Sequence, residues 1–120
     1  MATIAETLLA RTARDGGVTV SLVSGDVAAH TSGFYVGGRV QETVVADPSD
    51  IADYRSAVTT ITRRAGGVGY IGSWRDIETG HVHIDASDHV EDFDSAVRIA
   101  QERGELAIWE IAGGTEFRLS

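Results

Sequence analysis

The sequence predicts an α+β domain: an N-terminal helix, two tandem ββα units and a C-terminal hairpin, forming a mainly antiparallel sheet with its helices on one face. Three observations carry this. An apolar stripe of helical period occurs twice at one fixed offset. The same start and stop signals flank each stripe. The segments between alternate in polarity and break at glycine.

Along "MATIAETLLARTARDGG", Ile4, Ala5 and Leu8 fall on one side of an amphipathic helix. This opening has neither the basic start nor the apolar block of a signal peptide. "GGVTVSLVSG" (16–25) then reads as a strand leading into a turn, and a longer connection runs through "DVAAHTSGFYVGG". Next comes the first repeated stripe. "DYRSAV" (53–58) and "DFDSAV" (92–97) match at an offset of 39 residues. Ile51, Tyr54, Val58 and Ile61 share their spacing with Val90, Phe93, Val97 and Ala100. That spacing predicts helices over 50–64 and 90–103.

"DPSD" (47–50) and "DASDH" (85–89) precede the two stripes. Their Asp and Ser side chains suit the unpaired N–H groups of a helix start, and Asp88 is the expected cap of the second helix. "RRAGG" and "ERGE" follow, with arginine at the negative helix end and glycine for a left-handed stop. "GGVGYIGSW" (66–74) opens the second unit like the first, and "DIETGHVHI" reads as a hairpin turning at Gly80. "ELAIWEIAGGTEFRLS" gives a strand, a Gly113–Gly114 turn and a last strand. "LAIWEI" is apolar on both parities, which predicts a strand covered on both faces. The expected organisation is one domain over 1–120, with the repeat at about 16–65 and 66–104.

Composition narrows the chemistry. The 120 residues include no cysteine, so disulfides, thiolate metal sites and cysteine nucleophiles are excluded. Lysine is also absent, and all ten basic residues are arginine. This removes P-loop and Schiff-base lysines. Net charge is −8, which opposes direct nucleic-acid binding, because only Arg63 and Arg64 are adjacent. No apolar run is long enough to span a membrane.

"HVHIDASDH" (81–89) is the most chemically loaded stretch. On a strand, His81, His83 and Asp85 share one face and Val82, Ile84 and Ala86 the other. A metal site would use His81, His83 and Asp85, with His89 as a further ligand. The plain alternative is a polar strand face running into a helix cap, with Asp76 and Glu78 pairing the histidines across the hairpin. That alternative is preferred, so no metal or other cofactor is expected. Gly67, Gly69 and Gly72 form a GxGxxG, but they follow a helix and enter a strand, the reverse of a dinucleotide site. The carboxylates gather at helix starts (Asp47, Asp50 and Asp53, then Asp85, Asp88, Glu91, Asp92 and Asp94), where negative charge is favoured whatever the function. No GxSxG or supported Ser/His/Asp set occurs.

"GSWRDIETGHVHIDASDHVEDFDSAVRIAQERGELAIWEI" resembles small uncharacterised accessory proteins of actinobacterial phages and prophages. The shared pattern is a W-x-D…TG hairpin, an acidic helix start and an alanine-rich helix leading to "AIWEI", over about 66–112. Absence of lysine, asparagine and cysteine matches the GC-rich coding of such genomes. The resemblance implies a phage accessory protein in the host cytoplasm and brings no catalytic residues.

These readings converge on a non-enzymatic acidic protein-binding module. The expected partner is a host or defence protein with a basic surface, inhibited or modulated in part through imitation of nucleic-acid charge. Tyr70, Trp74 and Trp109 are the expected anchors, with Glu91, Asp92 and Asp94 steering the partner. Self-association into a homodimer is the other way to cover such a face. The alternative function is a small metal-dependent hydrolase using His81, His83 and Asp85. An enzyme with His83 as general base would need a pocket bringing a second polar group to it.

Overall fold

The computed structural model describes residues 1–119 and is an α+β fold. Helix α1 (Ile4–Asp15) is followed by β1 (Gly17–Ser21), β2 (Phe34–Val36) and β3 (Thr43–Val45), then α2 (Ile51–Ala65). The second half contributes β4 (Tyr70–Arg75), β5 (Val82–Val90), α3 (Phe93–Glu102), β6 (Ala107–Glu110) and β7 (Thr115–Arg118). The seven strands pair antiparallel in the order β1-β4-β5-β2-β6-β7, and β3 also pairs with β5.

The helix signals act as their chemistry requires. Thr3 and Glu6 form a reciprocal capping box on α1. Asp50 accepts from the amides of Ala52 and Asp53 at the start of α2, and Gly66, at φ 72°, ends that helix in the left-handed region. Gly80 takes φ 76° in the β4–β5 turn and Gly114 φ 59° in the β6–β7 turn, as the hairpin readings expect.

The second helix differs from its sequence reading. It starts at Phe93, and its cap is Asp92, which accepts from the Ser95 amide. Val90 and Asp88 belong to β5 instead, because β2 offers them a ladder: Val36 lies opposite Asp88, and Phe34 opposite Val90. Tertiary pairing overrides the helical spacing there. Asp88 is therefore not a cap. It binds Arg103 at 2.6 Å and Arg39 at 3.4 Å.

The tandem ββα symmetry is likewise absent from the strand pairing. In the second half β4 and β5 form a hairpin, whereas β1 pairs with β4, and both β2 and β3 pair with β5. The matching helix signals describe local stops and starts, and the 22–33 and 37–42 connections send the first half's strands to different neighbours.

Directly opposed residues of an antiparallel pair share a face. Val20, Ile71, Val82, Ile84 and Ala86 thus line one side, where they pack with Leu8 of α1 and with Tyr54 and Ile61 of α2. A buried hydroxyl pair, Thr12 with Ser73, ties α1 to β4. Further along the same side of β5, Val90 and its partner Phe34 pack around a smaller core of Val36, Ala96, Ala100 and Ile108 beneath α3. All three helices therefore cover one side, in two separate clusters. Strand β6 is covered only there: Ile108 is buried, while Trp109 on the opposite side is half-exposed, which corrects the expectation of a doubly covered strand. No helix among the described residues is long and apolar enough to cross a membrane.

Candidate functional site on the open sheet face

Among the described residues, no helix lies on the opposite face of the sheet. Its residues follow from the register. A first row runs Gly17, Trp74, His83, Val44; a second Thr19, Gly72, Asp85; a third Ser21, Tyr70, Ser87; and a fourth joins His89, Tyr35 and Trp109. Aromatic rings thus stand in the outer rows, and small residues surround Asp85 between them.

In the first row, Trp74 stacks on His83 with ring centroids 4.5 Å apart, and Trp74 remains 47% exposed. His83 Nδ1 lies 3.1 Å from Glu42 Oε1. At the other end, His30 stacks on His89 at 3.7 Å, its Nε2 meets the Tyr70 hydroxyl at 2.6 Å, and Tyr35 packs against Tyr70 and His89. Trp109 is 45% exposed.

Between these banks lies a cleft of about 430 Å³, lined by Gly38, Arg39, Val40, Gln41, Glu42, Asp85, Arg103 and Glu105. It exists because β5 changes partners along one edge. β3 pairs with Val82–Ile84 and β2 with Asp88–Val90, while the chain from Gly37 to Glu42 leaves the sheet between them. Glycine makes the approach possible. A side chain at Gly37 would meet Asp85 Oδ2 at 2.8 Å and Glu105 Oε1 at 2.9 Å, so both carboxylates reach the same point. A side chain at Gly72 would meet Asp85 Oδ1 at 3.1 Å. Gly104, at φ 74°, turns the chain out of α3 just ahead of Glu105.

The electrostatics follow from this crowding. The Asp85 carboxyl is buried, and burial, then Glu105, then Glu42 push it up to about 7, against smaller opposing effects of its own backbone and His83. Glu105 is raised by burial and Glu42, with Arg103 opposing. The two arginines of the cleft are already engaged. Arg39 donates to the Val68 and Ala65 carbonyls and to Asp88, and Arg103 to the Val36 and Gly37 carbonyls and to Asp88.

The structure brings Tyr70, Trp74 and Trp109 onto one face, as the anchor reading requires. It separates the three steering carboxylates. Glu91 accepts from the Ser32 hydroxyl at 2.5 Å and lies 3.5 Å from His89, whereas Asp92 and Asp94 sit at the start of α3. The metal alternative is not assembled. His81 precedes β5 in the turn, His83 stacks on Trp74, Asp85 sinks into the cleft and His89 stacks on His30. Among the described residues, no three His, Asp or Glu side chains converge to hold a metal ion. Asp76 receives the Glu78 amide within the turn, and it is Glu42 that reaches His83.

Sequence reasoning singled out neither Glu42 nor Glu105. The available signal was glycine: Gly72 inside an alternating strand and the Gly37–Gly38 pair mark close approach of other groups. No family model, curated protein or solved structure matches the chain.

Proposed function

We propose that the protein is an acidic protein-binding module whose open sheet face docks a basic surface of a partner protein. One observation carries the reading: Trp74 and Trp109, each about half-exposed, stand in rows on either side of Asp85 on a sheet face that no helix among the described residues covers, and Asp85 lines an acidic cleft at the edge of β5. Half-exposed tryptophans supply large apolar contact with little ordering cost, and the carboxylates between them select for positive charge. Net charge of −8 adds long-range attraction for a basic partner. With the resemblance to phage accessory proteins, this makes the partner a host or defence protein that the module inhibits or modulates, its acidity standing in for nucleic-acid charge.

The test is capture from an actinobacterial lysate at low and high salt, with Trp74→Ala and Trp109→Ala in parallel. Capture of a basic protein that weakens at high salt is expected. Each tryptophan variant should lose about 10- to 100-fold in affinity for it. Capture unaffected by both substitutions sinks the reading, as does nucleic acid as the bound species. A dimer closed through this face, seen as concentration-dependent mass abolished by Trp74→Ala, would replace it.

A second reading has its own support. His83 has the second polar group that a general base would need, in Glu42, and Asp85 is held near neutrality as a general acid would be. A small hydrolase of that kind would show turnover lost in Asp85→Asn.

A further inference from the structure

We propose that the cleft at Asp85 is a receptor for a single guanidinium group, the side chain of an arginine on a basic segment of the partner, gripped between Asp85 and Glu105 beside the Trp74–His83 stack. This deepens the docking reading and rests on it.

Asp85, Glu105 and Glu42 all line the cleft, and both of its arginines are spent on Asp88 and on backbone carbonyls. Glu42 is turned to His83. Asp85 and Glu105 meet no cation at salt-bridge distance among the described residues, although both carboxylates reach toward Gly37. A chain that only needed to fill this space would place apolar or amide side chains there, because crowding like charges in a partly closed site costs free energy.

Shape narrows the ligand. Two carboxylates approaching one point offer several acceptor oxygens, which suits a planar fork of five N–H donors better than a compact ammonium. A guanidinium is also the more weakly hydrated cation, so it enters a partly buried site at lower cost. Trp74 stands one row away, within the reach of a side chain lying over the sheet, and its ring face favours a cation. The surroundings already hold guanidinium groups in this way: Arg103 Nη2 meets Asp88 at 2.6 Å.

Binding is then linked to protons. The groups facing Asp85 are Glu42, Glu105 and His83, with Arg39 and Arg103 at the cleft wall. Asp85 stands near half-protonated at neutral pH, and an incoming cation favours its ionised form. Affinity should therefore rise with pH, by about tenfold from pH 6 to pH 8 for a group that titrates near 7. His83 faces the same carboxyl, so the two groups are separated by substitution.

The experiment is an amide NMR titration of the intact protein with capped arginine amide, capped lysine amide, capped citrulline amide and magnesium ion, at pH 6 and pH 8. Expected are saturable shifts at Gly37, Gly72 and Asp85 with the arginine probe, weaker ones with lysine and none with citrulline. The pH dependence should vanish in Asp85→Asn and persist in His83→Gln. Glu105→Gln should weaken binding severalfold. Equal shifts from citrulline, equal shifts from lysine, a response to magnesium alone, or unchanged arginine binding in Asp85→Asn would each overturn the proposal. The two readings fail separately. A captured partner indifferent to Asp85→Asn ends the arginine receptor but not the docking face, and arginine binding without any protein partner does the reverse.

Discussion

Replacing Asp88 by alanine is expected to destabilise the fold by about 2–3 kcal/mol, measured as a lower denaturant midpoint with an unchanged slope. Asp88 joins three separate segments of the chain. It bonds Arg103 just beyond α3 and Arg39 in the 37–42 segment, and all three side chains are two-thirds or more buried. Removing the carboxylate leaves two guanidinium groups facing each other with only carbonyls as partners. The cost lies in that uncompensated charge more than in the net value of the ion pair. Asp88→Asn keeps the shape and loses the charge, and should fall between wild type and alanine. Unchanged midpoints in both variants would show that the carbonyl bonds alone hold the arginines.

The second large effect has the opposite sign. Asp85→Asn should stabilise the protein, on the order of 2 kcal/mol at pH 8, and flatten its stability against pH. The direction follows from where the proton resides. Asp85 ionises near 3.8 in the unfolded chain and near 7 when folded. Below about 4 both states are protonated, and the group contributes nothing. Between 4 and 7 the folded state holds the extra proton, so stability falls as pH rises. Above about 7 both states are ionised and the penalty is complete. Three units would correspond to about 4 kcal/mol at full value, and residual solvent contact at the cleft brings the expectation to roughly half. Urea midpoints at pH 5, 6, 7 and 8 measure it. A variant no more stable than wild type at pH 8 would mean that the carboxyl is not strained there.

These two aspartates also show what the sequence could and could not reveal. Alternation along "HVHIDASDH" placed Val82, Ile84 and Ala86 inward and His83 and Asp85 outward, and the structure agrees. Local chemistry also marked the cap of α2, the left-handed glycines and the terminal hairpin, but not the Thr3–Glu6 box that starts α1. Asp88 looked like a cap because it stands before a helical stripe, yet three more residues stay extended once β2 supplies their hydrogen bonds. That ladder is a long-range event with no trace in local spacing. The cleft escaped for the same reason. Glu42, Asp85 and Glu105 are far apart in the chain and meet only because β5 takes β3 for its first part and β2 for its last. Tyr70 and Trp74 were legible as a pair because strand alternation puts them on one parity of β4, whereas "LAIWEI" is apolar on both parities and the side taken by Trp109 follows only from its pairing with Tyr35.

That change of partner along β5 also divides the molecule mechanically. The larger cluster holds α1 and α2 against β1, β3, β4 and the first part of β5, while the cluster beneath α3 has four buried side chains among the described residues, two of them α3's own. A single continuous strand is the axle between a heavy lobe and a light one. The light lobe should open first, so amides of α3 and β6 should exchange with solvent faster than those of α2 and β4. The acidic cleft straddles that seam, with Asp85 on the axle, Glu42 beside β3 and Glu105 beside β6. Whatever seats itself there fastens the light lobe to the heavy one, and slowed exchange in α3, on the side of the sheet opposite the aromatic anchors, becomes a distant gauge of occupancy.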